Sequence, residues 1–204
     1  MVQRMKAAER RAAILAVAKV LFADRGYHGV SVDEIAARVA VSPAVLYRHF
    51  PSKQALYEAV LNEIACRRES YVETIVAGPD DFGSVLRRMT RLYVESVAAD
   101  PDYLRMELHS VLEGSDAVRA FFENRWRPFA DFIEFSVAEM KREGRLAGAN
   151  GRVAALMFQG MVREALYSTC LHAPGRLADM PLPTLVDSLI DLFLAALGVE
   201  DRGT

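Results

Sequence analysis

The sequence predicts an all-α chain of about nine helices, with a short basic module of three helices ahead of a longer acidic helical body. Three observations carry that prediction. Apolar residues recur at three- and four-residue steps through most segments. Capping residues, Gly and Pro punctuate the points where such stripes begin or end, and no segment shows a convincing strand alternation. Composition agrees: of 204 residues, 52% are hydrophobic and 25% charged, enough apolar matter to bury a core and unlike disordered or collagen-like chains.

In chain order, Ile14, Val17, Ala18, Leu21 and Phe22 form one stripe, and Gly26 closes the first helix. Ser31 followed three residues later by Glu34 is a capping-box pattern, opening a short helix to about Val39. Ser42 before Pro43 places a cap ahead of a first-turn proline, so a third helix runs to about His49. Pro51 and Ser52 interrupt the chain, and a long helix follows from Lys53 to about Val76. After a loop at 78–81, Val85, Leu86, Met89, Leu92, Tyr93, Ser96 and Val97 outline a helix ending near Asp100. A shorter one runs from Pro101 to about Leu112, closed by Gly114. Between Asp116 and Glu143, Phe122, Trp126, Phe129, Ile133, Val137 and Met140 lie on one stripe, while Phe121, Phe132 and Phe135 lie toward another. That helix should have neighbours on two sides. Val153–Leu171 and Pro183–Leu197 complete the set, separated by a loop opening at His172, Ala173, Pro174 and Gly175.

The net charge of −2 is a sum over unlike parts. Residues 1–53 carry nine basic against four acidic side chains, a net of +5, which leaves −7 for the remainder. A basic module on an acidic body points to a polyanionic partner for the module alone. The longest stretch without Asp, Glu, Lys or Arg, Ala165–Gly175, falls well short of the roughly 20 apolar residues that span a bilayer, so no membrane partner is expected. Arg4 to Arg11 ahead of Ala12–Ala18 imitates a secretory leader, but Lys19 interrupts the apolar run and the segment continues helically. Cys66 and Cys170 make no metal-finger spacing and read as buried or semi-buried thiols of a reducing, cytoplasmic setting. His28, His49, His109 and His172 are scattered, with no HExxH, nucleophile elbow or phosphate-cradling glycine loop. No enzyme activity, metal or cofactor is expected.

The two short helices at about 32–39 and 43–49, joined by Ala40, Val41 and Ser42, have the dimensions of a helix-turn-helix, in which the second helix enters the DNA major groove. The flanking residues add specificity. Ile14–Phe22, Gly26, Tyr27, Gly29, Val32, Ile35, Ala36, Val41 and Ser42, and above all Leu46-Tyr47-Arg48-His49-Phe50-Pro51-Ser52-Lys53 with Leu56, closely resemble the N-terminal domain of the TetR family, the tetracycline-repressor-like regulators. The resemblance covers residues 10–60. It implies an N-terminal DNA-binding domain, taken as 1–52 and linked through the helix starting at 53, and an effector-binding and dimerisation domain over 53–204. By the same resemblance Tyr47, His49 and Lys53 match phosphate-contacting positions, and Ser42 caps the recognition helix within reach of a phosphate.

Two departures bear on readout. Ala40 stands where the family usually has glycine, a cost of up to about 1 kcal/mol relative to glycine if its φ is positive. Ala44 and Val45 replace a glycine-threonine or similar pair. Pro43, Ala44 and Val45 therefore offer thymine methyls an apolar contact, and hydrogen-bonded readout falls to Arg38, or to Arg4 and Lys6 reaching a minor groove; nonspecific phosphate contact is the alternative for those three.

One short recognition helix reads too few bases, so a homodimer on a palindromic operator is expected, with recognition helices about 34–36 Å apart. The last two helices are the expected interface, through Leu185, Val186, Leu189, Ile190, Leu192, Phe193, Leu194 and Leu197, with Gly160 permitting close approach. Met89, Tyr93, Met106, Trp126, Phe129, Ile133, Met157, Phe158 and Met161 are candidates to line an apolar effector cavity, though such a stripe also serves as plain core. Arg105, His109 and Glu164 are the candidate polar groups. The expected function is a ligand-responsive repressor released by a small hydrophobic or aromatic effector. The competing reading, a hydrophobic-ligand carrier without DNA binding, leaves the basic module unexplained.

Overall fold

The computed structural model describes residues 7–66, 81–113, 116–171, 175, 177 and 179–199. Among them the chain is all helical, with nine helices and no strand: α1 (Ala7–Arg25), α2 (Val32–Arg38), α3 (Pro43–His49), α4 (Lys53–Cys66), α5 (Phe82–Ala98), α6 (Asp102–Glu113), α7 (Asp116–Arg142), α8 (Gly151–Cys170) and α9 (Leu182–Leu197). Arg4, Lys6, the extension of α4 past residue 66, the loop at 78–80, Gly114, the Cys66 side chain and His172–Pro174 lie outside the described residues.

Local chemistry sets the boundaries. Gly26 adopts φ +70° after α1, a conformation glycine enters without strain. Ser31 Oγ accepts the Glu34 N–H at 3.1 Å to open α2, and Asp81 Oδ1 accepts the Ser84 N–H at 3.1 Å to open α5. Asn150 Oδ1 accepts from Arg152 and Val153, starting α8 two residues before the position expected from Val153. Pro128 lies inside α7 without ending it, although a proline there removes one backbone donor. Gly198, at φ +74°, terminates α9 in the left-handed conformation.

The helices form two compact units, Met1–Arg68 with Asp102–Arg119, and Glu69–Pro101 with Ala120–Thr204. The first unit thus includes α4 and α6 besides the three N-terminal helices. Its core joins Ile14, Leu21 and Phe22 of α1 to Ile35, Leu46, Leu56 and Tyr57, all buried. Phe22 and Tyr57 meet edge to face at 4.8 Å. Helix α6 packs along α1, burying Tyr103, Leu104 and Met106, with Lys19–Asp102 (3.8 Å) and Arg105–Asp24 (3.6 Å) pairing at the surface.

The second unit is built on α5, α7, α8 and α9. Leu86, Ile133, Val137, Phe158, Val162, Ile190 and Phe193 are among its buried residues. Arg91 reaches from α5 to Asp187 of α9 at 2.6 Å, while Arg87 reaches Asp191 at 2.7 Å. These pairs fix the α5–α9 register. Cys170 is a half-buried free thiol.

Candidate nucleic-acid interface and apolar core

The α2–turn–α3 segment is closed by its own backbone. Val39 N–H donates to Ile35 O, Ala40 N–H to Ala37 O and Val41 N–H to Ala36 O at 2.9 Å. This tight turn forces Ala40 to φ +57°, the one non-glycine residue with positive φ among those described. The turn therefore takes the strained form anticipated for an alanine in a glycine position. Ser42 then caps α3, its Oγ accepting from Val45 N–H at 3.4 Å.

Helix α3 is held from one side only. Leu46 is fully buried and Val45 and His49 are half-buried, whereas Pro43, Ala44, Tyr47 and Arg48 are exposed. Ala44, Tyr47 and Arg48 follow at steps of three and four, so they share one outward face. Tyr47 keeps 47% of its surface open. Arg48 carries no role by motif, yet its place beside Tyr47 puts a guanidinium on that face. At the end of α3, Arg11 lies over the Phe50 ring at 5.1 Å, a cation–π contact that ties α1 to the C-cap.

Arg38 is exposed at the end of α2 and pairs with Glu34, 3.5 Å away, which also receives Arg25 at 2.6 Å. Such surface pairs contribute at most about 1 kcal/mol, a contact that a nucleic acid can replace. Lys53 opens α4, and Ser52 Oγ caps that helix by accepting the Ala55 N–H at 3.0 Å. The Lys53 ammonium stands 4.3 Å from the centre of the Tyr27 ring. Partial burial lowers its pKa, and the Glu113 charge opposes that shift.

Glu113 is a residue that sequence reasoning does not single out. Its Oε2 accepts the Tyr27 N–H at 3.0 Å and its Oε1 the His28 N–H at 3.3 Å. One signal is present in the chain: a carboxylate in the last turn of a helix opposes the macrodipole and calls for compensating donors. Burial of the Tyr57 phenol raises its pKa, and Glu113 adds to the rise.

The effector candidates divide between the units. Met106 and His109 belong to α6 of the first unit. In the second unit, Tyr93, Trp126, Phe129, Phe158 and Phe193 form a continuous aromatic chain: Tyr93–Trp126 4.8 Å, Trp126–Phe129 5.6 Å, Phe129–Phe158 6.0 Å and Phe158–Phe193 5.1 Å. Met89 and Ile133 are buried in the same unit, Met161 is half-buried and Met157 is 39% exposed. Trp126 Nε1 is buried with no hydrogen-bond partner among the described residues, and the Arg163 guanidinium lies 5.7 Å over the Trp126 ring. Of the expected polar groups, Arg105 is engaged by Asp24 and Asp102, while Glu164 accepts from Ser168 on the surface. A groove of about 310 Å³ between α5 and α9, lined by Arg91, Val94, Glu95, Ala98, Leu182, Pro183 and Val186, includes none of the effector candidates.

Residues 14–60 match the family described as "Bacterial regulatory proteins, tetR family". The chain is 45% identical over 75 residues to the HTH-type transcriptional activator FasR of Mycolicibacterium smegmatis, a match spanning 37% of this chain and 31% of that relative. Over 168 residues it is 28% identical to the nucleoid occlusion factor SlmA of Photobacterium profundum, covering 79% of this chain and 84% of that one. Among solved structures, AibR in complex with isovaleryl coenzyme A and operator DNA superposes with a TM-score of 0.66 at 27% identity, over 94% of this chain and 100% of AibR.

Proposed function

We propose that the chain, which belongs by residues 14–60 to the tetR family of bacterial regulatory proteins, is a DNA-binding transcriptional regulator that acts as a homodimeric, ligand-responsive repressor of a palindromic operator. The observation that carries DNA contact to particular residues is the outward face of α3, with exposed Ala44, Tyr47 and Arg48 inside the segment of net charge +5. Tyr47, His49, Lys53 and Ser42 contact phosphate, Pro43, Ala44 and Val45 meet base edges, and Arg38 reads bases or adds a phosphate contact. The functional division falls at residue 52, with α4 as the link.

Dimerisation uses the last two helices. Leu156 of α8 is 69% exposed, Leu192 of α9 is 66% exposed, and Gly160 has open space where a Cβ would stand. An apolar face of that kind on paired helices is a surface that association covers. Repression follows from occupancy, because a dimer across a promoter blocks polymerase without further contacts.

The effector is a molecule with an apolar body and a hydrogen-bond acceptor, held against Met89, Tyr93, Trp126, Phe129, Ile133 and Phe158. The buried Trp126 N–H supports this reading, since a buried donor without a partner calls for one. An acyl thioester has both features, and isovaleryl coenzyme A in AibR supports that class. Titration of the chain with its own upstream DNA, with and without isovaleryl coenzyme A, tests the whole reading. Salt-sensitive binding that the thioester weakens is the expected result. Thermal stabilisation by hydrophobic ligands without any DNA binding would instead make the protein a carrier.

A further inference from the structure

Glu113 closes α6 at a place that disfavours it. The C-terminal end of a helix carries partial negative charge, and the residue is half-buried. Its two oxygens are nevertheless each occupied by a backbone donor, Tyr27 N–H at 3.0 Å and His28 N–H at 3.3 Å. Gly26 makes this approach possible: a Cβ there would stand 2.0 Å from Glu113 Oε1 and 2.9 Å from His109 Nδ1. The carboxylate is thus seated on the α1–α2 turn from 85 and 86 residues away.

The same turn carries Tyr27, whose ring faces the Lys53 ammonium at 4.3 Å and meets Tyr57 edge on at 5.3 Å. The Glu113 charge acts on both Lys53 and Tyr57. Lys53 therefore has two attractions inside the protein, the π face of Tyr27 and the charge of Glu113, whose carboxylate is hydrogen-bonded to the backbone of the same Tyr27. A phosphate must compete with both.

We propose that Glu113 is a positioning residue for phosphate binding: seated on the amides of Tyr27 and His28, its carboxylate holds the Lys53 ammonium over the Tyr27 ring and so limits what that lysine contributes to DNA affinity. The inference rests on the reading of Lys53 as a phosphate contact. Glu113→Gln retains a carbonyl acceptor for the turn and removes the charge. Lys53 is then partly released, and the phosphate becomes its dominant anionic neighbour.

Two measurements on the full chain test this. In titrations of a short random-sequence duplex, Glu113→Gln binds roughly two- to fivefold more tightly than wild type, the size expected for one partly exposed charge pair. Its salt slope steepens by up to about 0.9 for each phosphate newly neutralised, and both effects vanish in a Lys53→Ala background. Equal affinity and slope, or the same gain without Lys53, overturns the proposal. By NMR with lysine labelled at the ε carbon, the Lys53 ε-methylene shows the upfield ring-current shift of Tyr27 in wild type and loses part of it in Glu113→Gln. An unchanged shift overturns the positioning role whatever DNA does. Loss of the shift in a protein whose wild type binds no duplex would contradict the DNA reading of Lys53 and leave the Glu113–Lys53 coupling standing.

Discussion

The carboxylate of Glu113 accepts the backbone N–H of Tyr27 at 3.0 Å across 86 residues of chain. The α1–α2 turn therefore depends on a side chain from α6. Gly26 is the point of closest approach, because its φ of +70° and its missing Cβ leave the room that Glu113 occupies. Gly26→Ala should destabilise the protein by about 1–2 kcal/mol from backbone strain, with a further loss as the Glu113 hydrogen bonds are displaced. Urea unfolding measures the sum, and a stability equal to wild type would contradict this packing of α6 on the turn.

Ala40 presents the opposite case. At φ +57° an L-residue carries strain of about 1–2 kcal/mol, part of which a glycine returns through its larger unfolded-state entropy, about 0.4–1 kcal/mol. Ala40→Gly is expected to gain up to about 1.5 kcal/mol, centred on about 0.8 kcal/mol, by the difference of those two effects. A rise in the urea midpoint at unchanged slope would register it, and a fall would show that the turn is not strained.

Leu156→Glu and Leu192→Glu place a charge on the exposed apolar faces of α8 and α9. Sedimentation should find wild type as a dimer and each variant shifted toward monomer, with helical circular dichroism retained. A monomeric wild type at micromolar concentration would rule out this interface.

Asp187 holds its carboxyl below the ordinary range, first through its hydrogen bonds from Arg91, against a desolvation cost, with the charges of Arg91 and Arg87 assisting. A depressed folded-state pKa contributes stability above the unfolded value, and that contribution is lost as pH falls through the folded one. Asp187→Asn should therefore flatten the acid-side decline of stability. The amplitude is small because the pair is partly solvent-exposed, and an identical acid profile in the variant would contradict the assignment.

Features set by neighbours in sequence are legible in the chain. The stop at Gly26, the caps at Ser31 and Ser42 and the strained Ala40 each follow from residues within four positions. The Leu46–Lys53 run is legible for the same reason, since its chemistry lies in one short segment. Long-range partners are not. Nothing in the periodicity of α6 says that Glu113 meets Tyr27, and a helical stripe tells which residues share a face without telling which helix covers it. Periodicity marks Met106 as an inward residue of α6 without telling that its helix packs along α1. Helix α8 shows the same ambiguity: Ala154, Ala155, Phe158, Val162, Ala165 and Leu166 face inward, leaving Val153, Leu156 and Met157 exposed.

The outward face of α3 and the start of α4 are where the protein should meet the phosphate backbone, and the function proposed for it depends on that encounter. Equilibrium titration of wild type, Tyr47→Ala and Lys53→Ala with a duplex from the upstream region, repeated across a range of salt concentrations, tests it most directly. Both variants should bind more weakly across sequences; Lys53→Ala should also show a log–log salt slope shallower by about 0.9 for the phosphate it no longer neutralises, whereas Tyr47→Ala, which removes a neutral hydroxyl, keeps the slope. Affinities and slopes equal to wild type in both variants would contradict the assignment of this face to DNA.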